Sequence, residues 1–391
     1  MIINNLTKTF TNVFHKEPTN FYFAPGRVNL IGEHTDYNGG HVFPAAITLG
    51  TYAAVSLRED TNVFLYSMNF TETGVISFGL ADNEYKKEHG WANYVKGVIT
   101  YMKETGLVVD RGFDVVISGN IPNGAGLSSS ASIELLTSIM LKDLFNLDIQ
   151  VIDLVKIGKK VENEFIGVQS GIMDQFAVGM GKEKHAMFLD TNSLKYEMVP
   201  IDLQEYAIVI MNTNKRRELA SSKYNERRSE CEKGLSLIQL KLQVASLGEL
   251  TMDELEMSRP LIEDEIIYKR VRHAVSENVR TKEAVLALHE INFEKFGQLI
   301  NESHVSLRDD YEVTGIELDT LVESAWKQQG VLGARMTGAG FGGCTVSLVH
   351  EDDVERFVKE VGAAYKERTG LEGEFYVCGV GDGVKEWDGE E

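Results

Sequence analysis

The sequence is poor in proline, cysteine and positive charge. Only six prolines occur in 391 residues, and no Pro-rich linker, internal repeat or low-complexity segment marks a domain boundary. The three cysteines, Cys231, Cys344 and Cys378, lie far apart without the spacing of a metal site, which predicts reduced thiols in a cytoplasmic protein. No apolar run approaches the length of a membrane span, and the first residues lack the apolar core of a signal peptide.

The deficit of basic residues excludes several kinds of partner. Lys and Arg number 39 against 59 Asp and Glu, which gives a formal net charge of −20. We expect neither nucleic acid nor an anionic membrane as a partner, because both are negatively charged themselves. A polyphosphate ligand would need local basic groups and a divalent cation to reverse the sign of the field. The length predicts two domains, or an elongated pair that shares a cleft.

The most informative stretch is residues 121–132, called the serine turn below. It follows a predicted buried strand around 113–117 and precedes apolar residues at helical spacing as far as Leu144. Gly124 and Gly126 permit positive φ angles, and Ser128 to Ser130 place three hydroxyls at the first helical turn. Unpaired N–H groups and the positive end of the helix dipole make such a turn a cradle for phosphate.

Other interpretations of the serine turn stay open from its sequence alone. It lacks the Gly-Lys-Ser/Thr ending of a Walker A loop, and it does not match a dinucleotide fingerprint. A glycine turn with an ordinary serine N-cap is the structural alternative. Three serines in one turn favour the phosphate site, because a single cap suffices for a helix.

A second polar stretch, residues 27–40, is called the signature segment below. It follows a strand predicted at 21–24, which we expect to end at Pro25-Gly26. Its polar members suit a polyol site, since carboxylates and imidazole in fixed positions discriminate between sugar epimers. A polar surface loop with glycine turns is the alternative. The polar members are Arg27, Glu33, His34, Asp36 and Asn38.

Three further residues are candidates for function. Trp91 and Tyr94 begin a predicted helix and could stack on an adenine, although aromatics at this spacing commonly belong to a core. Asp174 lies among apolar residues, so its carboxylate must be paired, hydrogen-bonded or functional. A capping Asp at the start of a helix is the alternative. A further helix is predicted from about 151 to 165.

The second half of the chain begins with a buried strand at 206–211, and we place a domain boundary near residue 200. Helices are predicted at about 225–242, 261–289, 293–307 and 353–369, with strands at 345–349 and 374–378. A late glycine run, residues 333–344, precedes a strand and therefore is not a phosphate site at the start of a helix. It either lines the same cleft or forms a tight packed turn.

Together these segments resemble one family, the galactokinases of the GHMP small-molecule kinase superfamily. Residues 23–40 look like the galactokinase signature, residues 122–132 like the superfamily's phosphate loop, and residues 335–344 like its third motif. The resemblance implies an α+β fold with an active site between two domains. These are a ribosomal-protein-S5-like N-terminal domain, 1–200, and a ferredoxin-like C-terminal domain, 201–391.

The resemblance also implies a role for each matching position. Asp174 matches the proposed catalytic base and Arg27 the cation beside it. The positions implied to bind sugar are Glu33, His34, Thr35, Asp36 and Tyr224. The positions implied to bind the nucleotide are Ser67, Trp91, Tyr94, Gly124, Ala125, Gly126, Leu127, Ser128, Ser129 and Ser130. Ser130 and Glu162 match the ligands of Mg²⁺, the implied cofactor.

The activity implied is transfer of the γ-phosphoryl group of MgATP to the anomeric hydroxyl of D-galactose, the first committed step of galactose utilisation. No protein partner, nucleic acid or membrane is expected. The alternatives are a kinase for a related sugar, such as N-acetylgalactosamine or galacturonate, and a sensor that binds galactose and ATP without chemistry. Carboxylates near the sugar argue against an acidic substrate, and the intact serine turn with Asp174 and Arg27 argues for catalysis.

Overall fold

A computed structural model describes residues 2–122, 125–201, 203, 205–215 and 220–389, without the side chains of residues 220 and 221. Its helices are α1 (Ile2–Phe14), α2 (Ala92–Glu104), α3 (Ser129–Leu144), α4 (Val151–Lys160), α5 (Met173–Met180), α6 (Ala220–Ile238), α7 (Met252–Ser258), α8 (Glu265–His289), α9 (Phe293–Asp309), α10 (Ile316–Ala325) and α11 (Val354–Thr369). Its strands are β1 (Asn20–Asn29), β2 (His41–Val42), β3 (Pro44–Leu57), β4 (Asn62–Ser67), β5 (Val75–Gly79), β6 (Phe113–Gly119), β7 (His185–Asp190), β8 (Tyr196–Pro200), β9 (Tyr206–Asn212), β10 (Val331–Thr337), β11 (Cys344–His350), β12 (Glu374–Cys378) and β13 (Lys385–Glu386).

The first sheet has six strands in the order β13-β1-β3-β6-β4-β5. One face packs on α1 through Leu6 and Phe10, and the other face packs on α2, α3, α4 and α5. Both faces are therefore buried, which accounts for the nearly continuous burial of β1 and β3. The layers place the starts of α3 and α5 beside the end of β1.

The second sheet has the order β10-β11-β9-β12, and its adjacent strands are antiparallel. In chain order these are the second, third, first and fourth strands, which is the ferredoxin-like arrangement. One face packs on α10 and α11. The other face shares a core with α8, α9 and the segments 28–31 and 43–47 of the first half. This shared core fixes the signature segment against the second sheet.

The end of the chain returns to the first sheet, because β13 pairs with β1. Trp387 is 8% exposed and packs in one cluster with Leu6, Phe10 and Tyr52, the last at 4.8 Å between ring centroids. The domain boundary near residue 200 stays a prediction.

The predicted end of β1 at Pro25-Gly26 is wrong. The strand continues to Asn29, and its register with β3 shifts between Pro25 and Arg27. Proline has no N–H for the ladder, so an irregularity there allows the strand to resume instead of ending. Arg27 consequently lies on a paired strand opposite Ala46, which holds its side chain more rigidly than a loop would.

Two other expectations about local structure need correction. The helix predicted to 165 is α-helical only to Lys160 and continues as a π-helical turn over Val161–Ile166. Such turns occur often at functional sites, and this one carries Glu162. The late glycine run precedes β11 as expected, but its first residues belong to β10, which alternation did not reveal.

Within the described residues, none of the helices has both the length and the apolar character needed to cross a bilayer. The three cysteines are buried thiols.

We expect Trp387→Ala to destabilise the protein by about 3–5 kcal/mol, because the cavity left between α1 and the first sheet would not collapse fully. Urea unfolding followed by circular dichroism measures this loss. Leu240→Ala is the control, since Leu240 is 75% exposed and its truncation should change the free energy of unfolding by less than about 0.5 kcal/mol. Equal effects of the two changes would contradict the packing of the chain's end on the first sheet.

Candidate active site

A buried ion pair joins the signature segment to α5. Arg27, 3% exposed, approaches Asp174 Oδ1 with two nitrogens, Nε at 3.0 Å and Nη2 at 2.8 Å. Its Nη1 donates to the carbonyl of Gly126 at 2.6 Å. Asp174 is the second residue of α5 and its side chain keeps 25% exposure. The arginine thus holds one carboxylate oxygen, and Oδ2 is the oxygen that a ligand can reach.

The serine turn has the backbone expected of an anion site, as far as it is described. Gly126 has φ +79°, and Ser128 has φ +62°, which the sequence did not predict. Ser128 precedes α3 but makes no side-chain cap, and its buried Oγ has no hydrogen-bond partner among the described residues. The N-cap alternative is therefore wrong for Ser128. Gly124 lies outside the described residues.

Ser130 and Glu162 lie side by side in the wall of a cavity of about 310 Å³. The Ser130 hydroxyl donates to Glu162 Oε1 at 3.0 Å. Burial, together with the charge of Asp174, raises the pKa of Glu162 to about 7. Mg²⁺ is typically bound through one or two carboxylates together with substrate phosphates and water. The Glu162 carboxylate and the Ser130 hydroxyl are therefore suitable ligands for part of its coordination shell.

Glu33 connects the signature segment to the late glycine run. Its Oε1 accepts hydrogen bonds from the Thr337 hydroxyl at 3.1 Å and the Gly338 amide at 2.7 Å, and Arg335 Nη2 lies 3.1 Å away. Arg335 is fully buried and also donates to the carbonyl of Asn29 at 2.7 Å. Glu33 therefore has a structural task in addition to any contact with sugar.

The backbone of this segment is held from α8. Glu277 is fully buried and accepts from the amides of Gly32 at 3.0 Å and Glu33 at 3.3 Å. Burial alone would raise the pKa of Glu277, but nearby cations, chiefly Arg280, hold it at about 2. An ionised carboxylate thus anchors the segment by charge-assisted hydrogen bonds.

His34 and Asp36 line the cavity from the same segment. Burial lowers the pKa of His34 to about 3, so the ring is neutral, and its Nδ1 lies 2.8 Å from the Tyr37 hydroxyl. Asp36 accepts the Tyr37 amide at 3.0 Å. Tyr224, on α6, lies 5.5 Å from His34 between ring centroids. The structure thus brings Asp36, His34 and Tyr224 together as the sequence predicted.

Thr35 does not line this cavity. Its buried hydroxyl contacts the carbonyls of Gly32 at 2.8 Å and His41 at 2.7 Å, so it shapes the segment's turn. Ala125 and Leu127 are also buried, with Leu127 accepting the Arg27 amide at 3.1 Å through its carbonyl. None of these three residues lines the cavity.

Two cavities adjoin at the serine turn. The first has a volume of about 310 Å³, and the late glycine run lines it through Gly338 and Ala339. The candidate residues that line it are Arg27, Glu33, His34, Asp36, Glu162, Asp174 and Tyr224. The second, of about 250 Å³, is lined by Ser67, Trp91 and Tyr94. Tyr94, Ser129 and Ser130 line both cavities. Trp91 and Tyr94 also pack on the core between the first sheet and α2–α5, which confirms the core interpretation, while stacking on an adenine stays a prediction.

The sequence did not single out several residues that the structure brings to this site. Gly338 has φ +84°, and a Cβ there would lie 2.8 Å from the Gly126 carbonyl, so only glycine allows the late run to approach the serine turn. Glu134 and Gln175 are fully buried beside Glu162. Glu134 could have been noticed as an acid within an otherwise apolar helical pattern.

Comparisons with known proteins show the family of this chain. The family model "Galactokinase galactose-binding signature" matches residues 8–57, and the GHMP kinase N-terminal and C-terminal models match residues 93–182 and 284–367. The galactokinase of Ligilactobacillus salivarius is 58% identical over 376 residues, 96% of this chain and 97% of that protein. That of Clostridium perfringens is 58% identical over 386 residues, 99% of this chain and 100% of its own. The chain belongs to the galactokinase family of the GHMP kinases.

Solved structures of the superfamily confirm the fold. The crystal structure of Lactococcus lactis galactokinase complexed with galactose matches with a TM-score of 0.97 and 54% identity, covering 99% of this chain and 100% of that one. Methanococcus jannaschii mevalonate kinase matches with a TM-score of 0.66 and 21% identity over 93% and 98% of the two chains, which shows the shared fold alone. The two-domain α+β fold that the resemblance implies is thus confirmed.

The acids of this family site predict a pH-dependent stability. Burial, together with the charges of Asp174 and Glu33, raises the pKa of Asp36 from 3.8 to about 7. Between these values the folded state keeps a proton that the unfolded chain has lost, so the free energy of unfolding falls as the pH rises. In the wild type, the titration of Asp36 should lower the free energy of unfolding by roughly 1–2 kcal/mol between about pH 5.5 and about pH 8. We expect this contribution to be absent in Asp36→Asn.

Urea unfolding at the two pH values measures this effect. Asp110→Asn is the control, since Asp110 is exposed and should leave the pH dependence unchanged. An Asp36→Asn variant with the wild-type pH dependence would show that this carboxyl titrates normally in the folded protein.

Proposed function

We propose that this chain is a galactokinase that transfers the γ-phosphoryl group of ATP to the anomeric hydroxyl of D-galactose, giving galactose 1-phosphate and ADP. The observation that carries the proposal is the similarity, over nearly the whole chain, to curated galactokinases and to a galactokinase solved with galactose. The two cavities that adjoin at the serine turn support it. In this proposal the sugar occupies the first cavity and the adenine of ATP occupies the second. The phosphates follow the serine turn between them.

Alignment and charge stabilisation are the protein's main tasks in phosphoryl transfer. The amides at the start of α3 and the positive end of its dipole hold the phosphates. Arg27 is buried within reach of the transferred group, where it stabilises the charge that develops in the transition state. Removing a group with this role commonly lowers the rate by about 10² to 10³.

Asp174 accepts the proton of the anomeric hydroxyl. Its Oδ1 is held by Arg27, and Oδ2 is the oxygen that receives the proton. The two nitrogens of Arg27 fix the orientation of the carboxylate that acts as the base. In the alternative route the transition state is loose, and Asp174 orients the hydroxyl without removing its proton first.

Ser130 and Glu162 would hold Mg²⁺ in this proposal, since this hydroxyl and this carboxylate both line the first cavity beside the serine turn. When bound, the ion supplies positive charge that neutralises the phosphate oxygens of the nucleotide. The Glu162 carboxylate and Ser130 hydroxyl orient it. This arrangement provides the local positive charge that a chain of net charge −20 needs in order to bind a polyphosphate.

Sugar selection rests on Glu33, His34, Asp36 and Tyr224. The acids among them would repel the carboxylate of galacturonate, which disfavours that substrate. The intact pair of Arg27 and Asp174 argues against a non-catalytic sensor. We also propose the domain boundary near residue 200, with β13 returning to the first sheet, and a cytoplasmic location, which the buried thiols support.

The direct test is ADP release with a panel of sugars. D-galactose with MgATP should give rapid, Mg²⁺-dependent ADP, while galacturonate, N-acetylgalactosamine and D-glucose should give little. ADP release that is faster with another member of the panel would change the assigned substrate. No ADP with any sugar, despite galactose binding in a calorimeter, would make the chain a sensor.

Asp174→Asn should lower kcat by about 10³-fold or more while galactose still binds, because the amide keeps the shape of the carboxylate but neither accepts the proton nor carries its charge. Kinetics and calorimetry with galactose measure the two quantities. Asp110→Asn should match the wild type in both. Normal turnover by Asp174→Asn would remove Asp174 from the mechanism.

A further inference from the structure

Three buried polar side chains form a row beneath the serine turn. Gln175 Nε2 lies 2.7 Å from Glu162 Oε2 and 3.0 Å from Glu134 Oε2, and donates to both. Glu134 belongs to α3 and Gln175 to α5, and both are 0% exposed. Glu162 is on the π-helical turn between α4 and α5. The row therefore links three separate elements behind the cavity wall.

This row fixes the orientation of the Glu162 carboxylate. A side-chain amide has two N–H donors, and here each is directed at a different carboxylate. Oε2 of Glu162 is thereby held from behind by Gln175, while Oε1 meets the Ser130 hydroxyl at 3.0 Å. Glu162 and Ser130 line the first cavity, whereas Glu134 and Gln175 do not. The carboxylate can therefore offer an oxygen to the cavity without rotating away.

Stability alone does not account for this arrangement. Glu134 Oε1 and Gln175 Oε1 are buried and have no hydrogen-bond partner among the described residues. A buried polar atom without a partner destabilises the folded state, and well-packed apolar residues in these places would avoid that cost. The polar row therefore points to a task at the atom that it holds.

The position of Gln175 adds a second link. It follows Asp174 directly in the first turn of α5, whose other residues pack into the first core. One rigid helix thus carries both the proposed base and the support of Glu162. Because Asp174 and Gln175 belong to the same helix, a shift of α5 would move both side chains together.

We propose that Gln175 is a positioning residue, which holds the Glu162 carboxylate in the orientation that binds Mg²⁺, with Glu134 as the acceptor that orients the Gln175 amide. The proposal rests on the assignment of Glu162 and Ser130 to the metal. Partners that orient a metal ligand in this way commonly change metal affinity by about 10- to 100-fold when they are replaced.

The test is Gln175→Met, which keeps the size of the side chain and removes the amide. Calorimetry would measure ADP binding with Mg²⁺ and with EDTA, and galactose binding separately. We expect the Kd of ADP with Mg²⁺ to rise about tenfold or more. The Kd with EDTA and the Kd of galactose should stay within twofold of the wild type. Mn²⁺ binding in the presence of ADP, followed by electron paramagnetic resonance, should weaken by a similar factor.

Gln169→Met is the matched control, because Gln169 is exposed and, among the described residues, its Nε2 donates only to the Asn163 carbonyl, 3.2 Å away. It should bind MgADP as the wild type does. Should Gln175→Met fail to fold, as judged by circular dichroism, Gln175→Asn keeps an amide but shortens its reach, and the same loss of metal-dependent binding is expected.

Two results would overturn the proposal. One is an unchanged Kd of MgADP and unchanged Mn²⁺ binding in the folded variant. The other is an equal loss of affinity for ADP with Mg²⁺ and with EDTA, which would indicate a general structural role of Gln175. The experiment uses no sugar turnover, so a wild-type chain that fails to phosphorylate galactose would overturn the proposed function and leave this measurement interpretable.

Discussion

The guanidinium of Arg27 is the contact on which the site depends. It reaches from β1 to Asp174, 147 positions later, and to the carbonyl of Gly126, 99 positions later. The site therefore exists only when the first sheet has packed on α3 and α5. A charge buried to this degree is stable only while its partners stay in place, so the strand, the helix and the serine turn constrain one another.

Around the ion pair of Arg27 and Asp174 the site gathers several buried acids. The pKa of Glu162 and that of Asp36 are raised to about 7, chiefly by burial, and that of Glu134 is raised well above its usual range. Asp174 adds to each of these shifts through its charge. Such a cluster is unfavourable alone and becomes favourable when a divalent cation and sugar hydroxyls join it. The acidic residues that disfavour most polyanionic partners thus include a group in the site. A divalent cation and sugar hydroxyls would reduce the repulsion within this group.

Sequence reasoning found the segments of the site better than the contacts between them. Glycine and serine in the serine turn, and polar residues in the signature segment, are local signals that need no tertiary information. Gln175 and Arg335 gave no such signal, because a buried helix or strand residue shows its partner only after folding. Likewise, the sequence identified Thr35 as part of a binding segment, but only the fold turns its hydroxyl onto the backbone.

The central claim is that Arg27 and Asp174 act on the anomeric oxygen as one unit. A crystal structure of this chain with D-galactose and a non-hydrolysable MgATP analogue would test it most directly. The account predicts the anomeric oxygen about 3 Å from Asp174 Oδ2, in line with the γ-phosphorus, with Arg27 still bound to Oδ1. An anomeric oxygen that lies beside Asp36 or Glu162 instead, out of reach of Asp174, would contradict it.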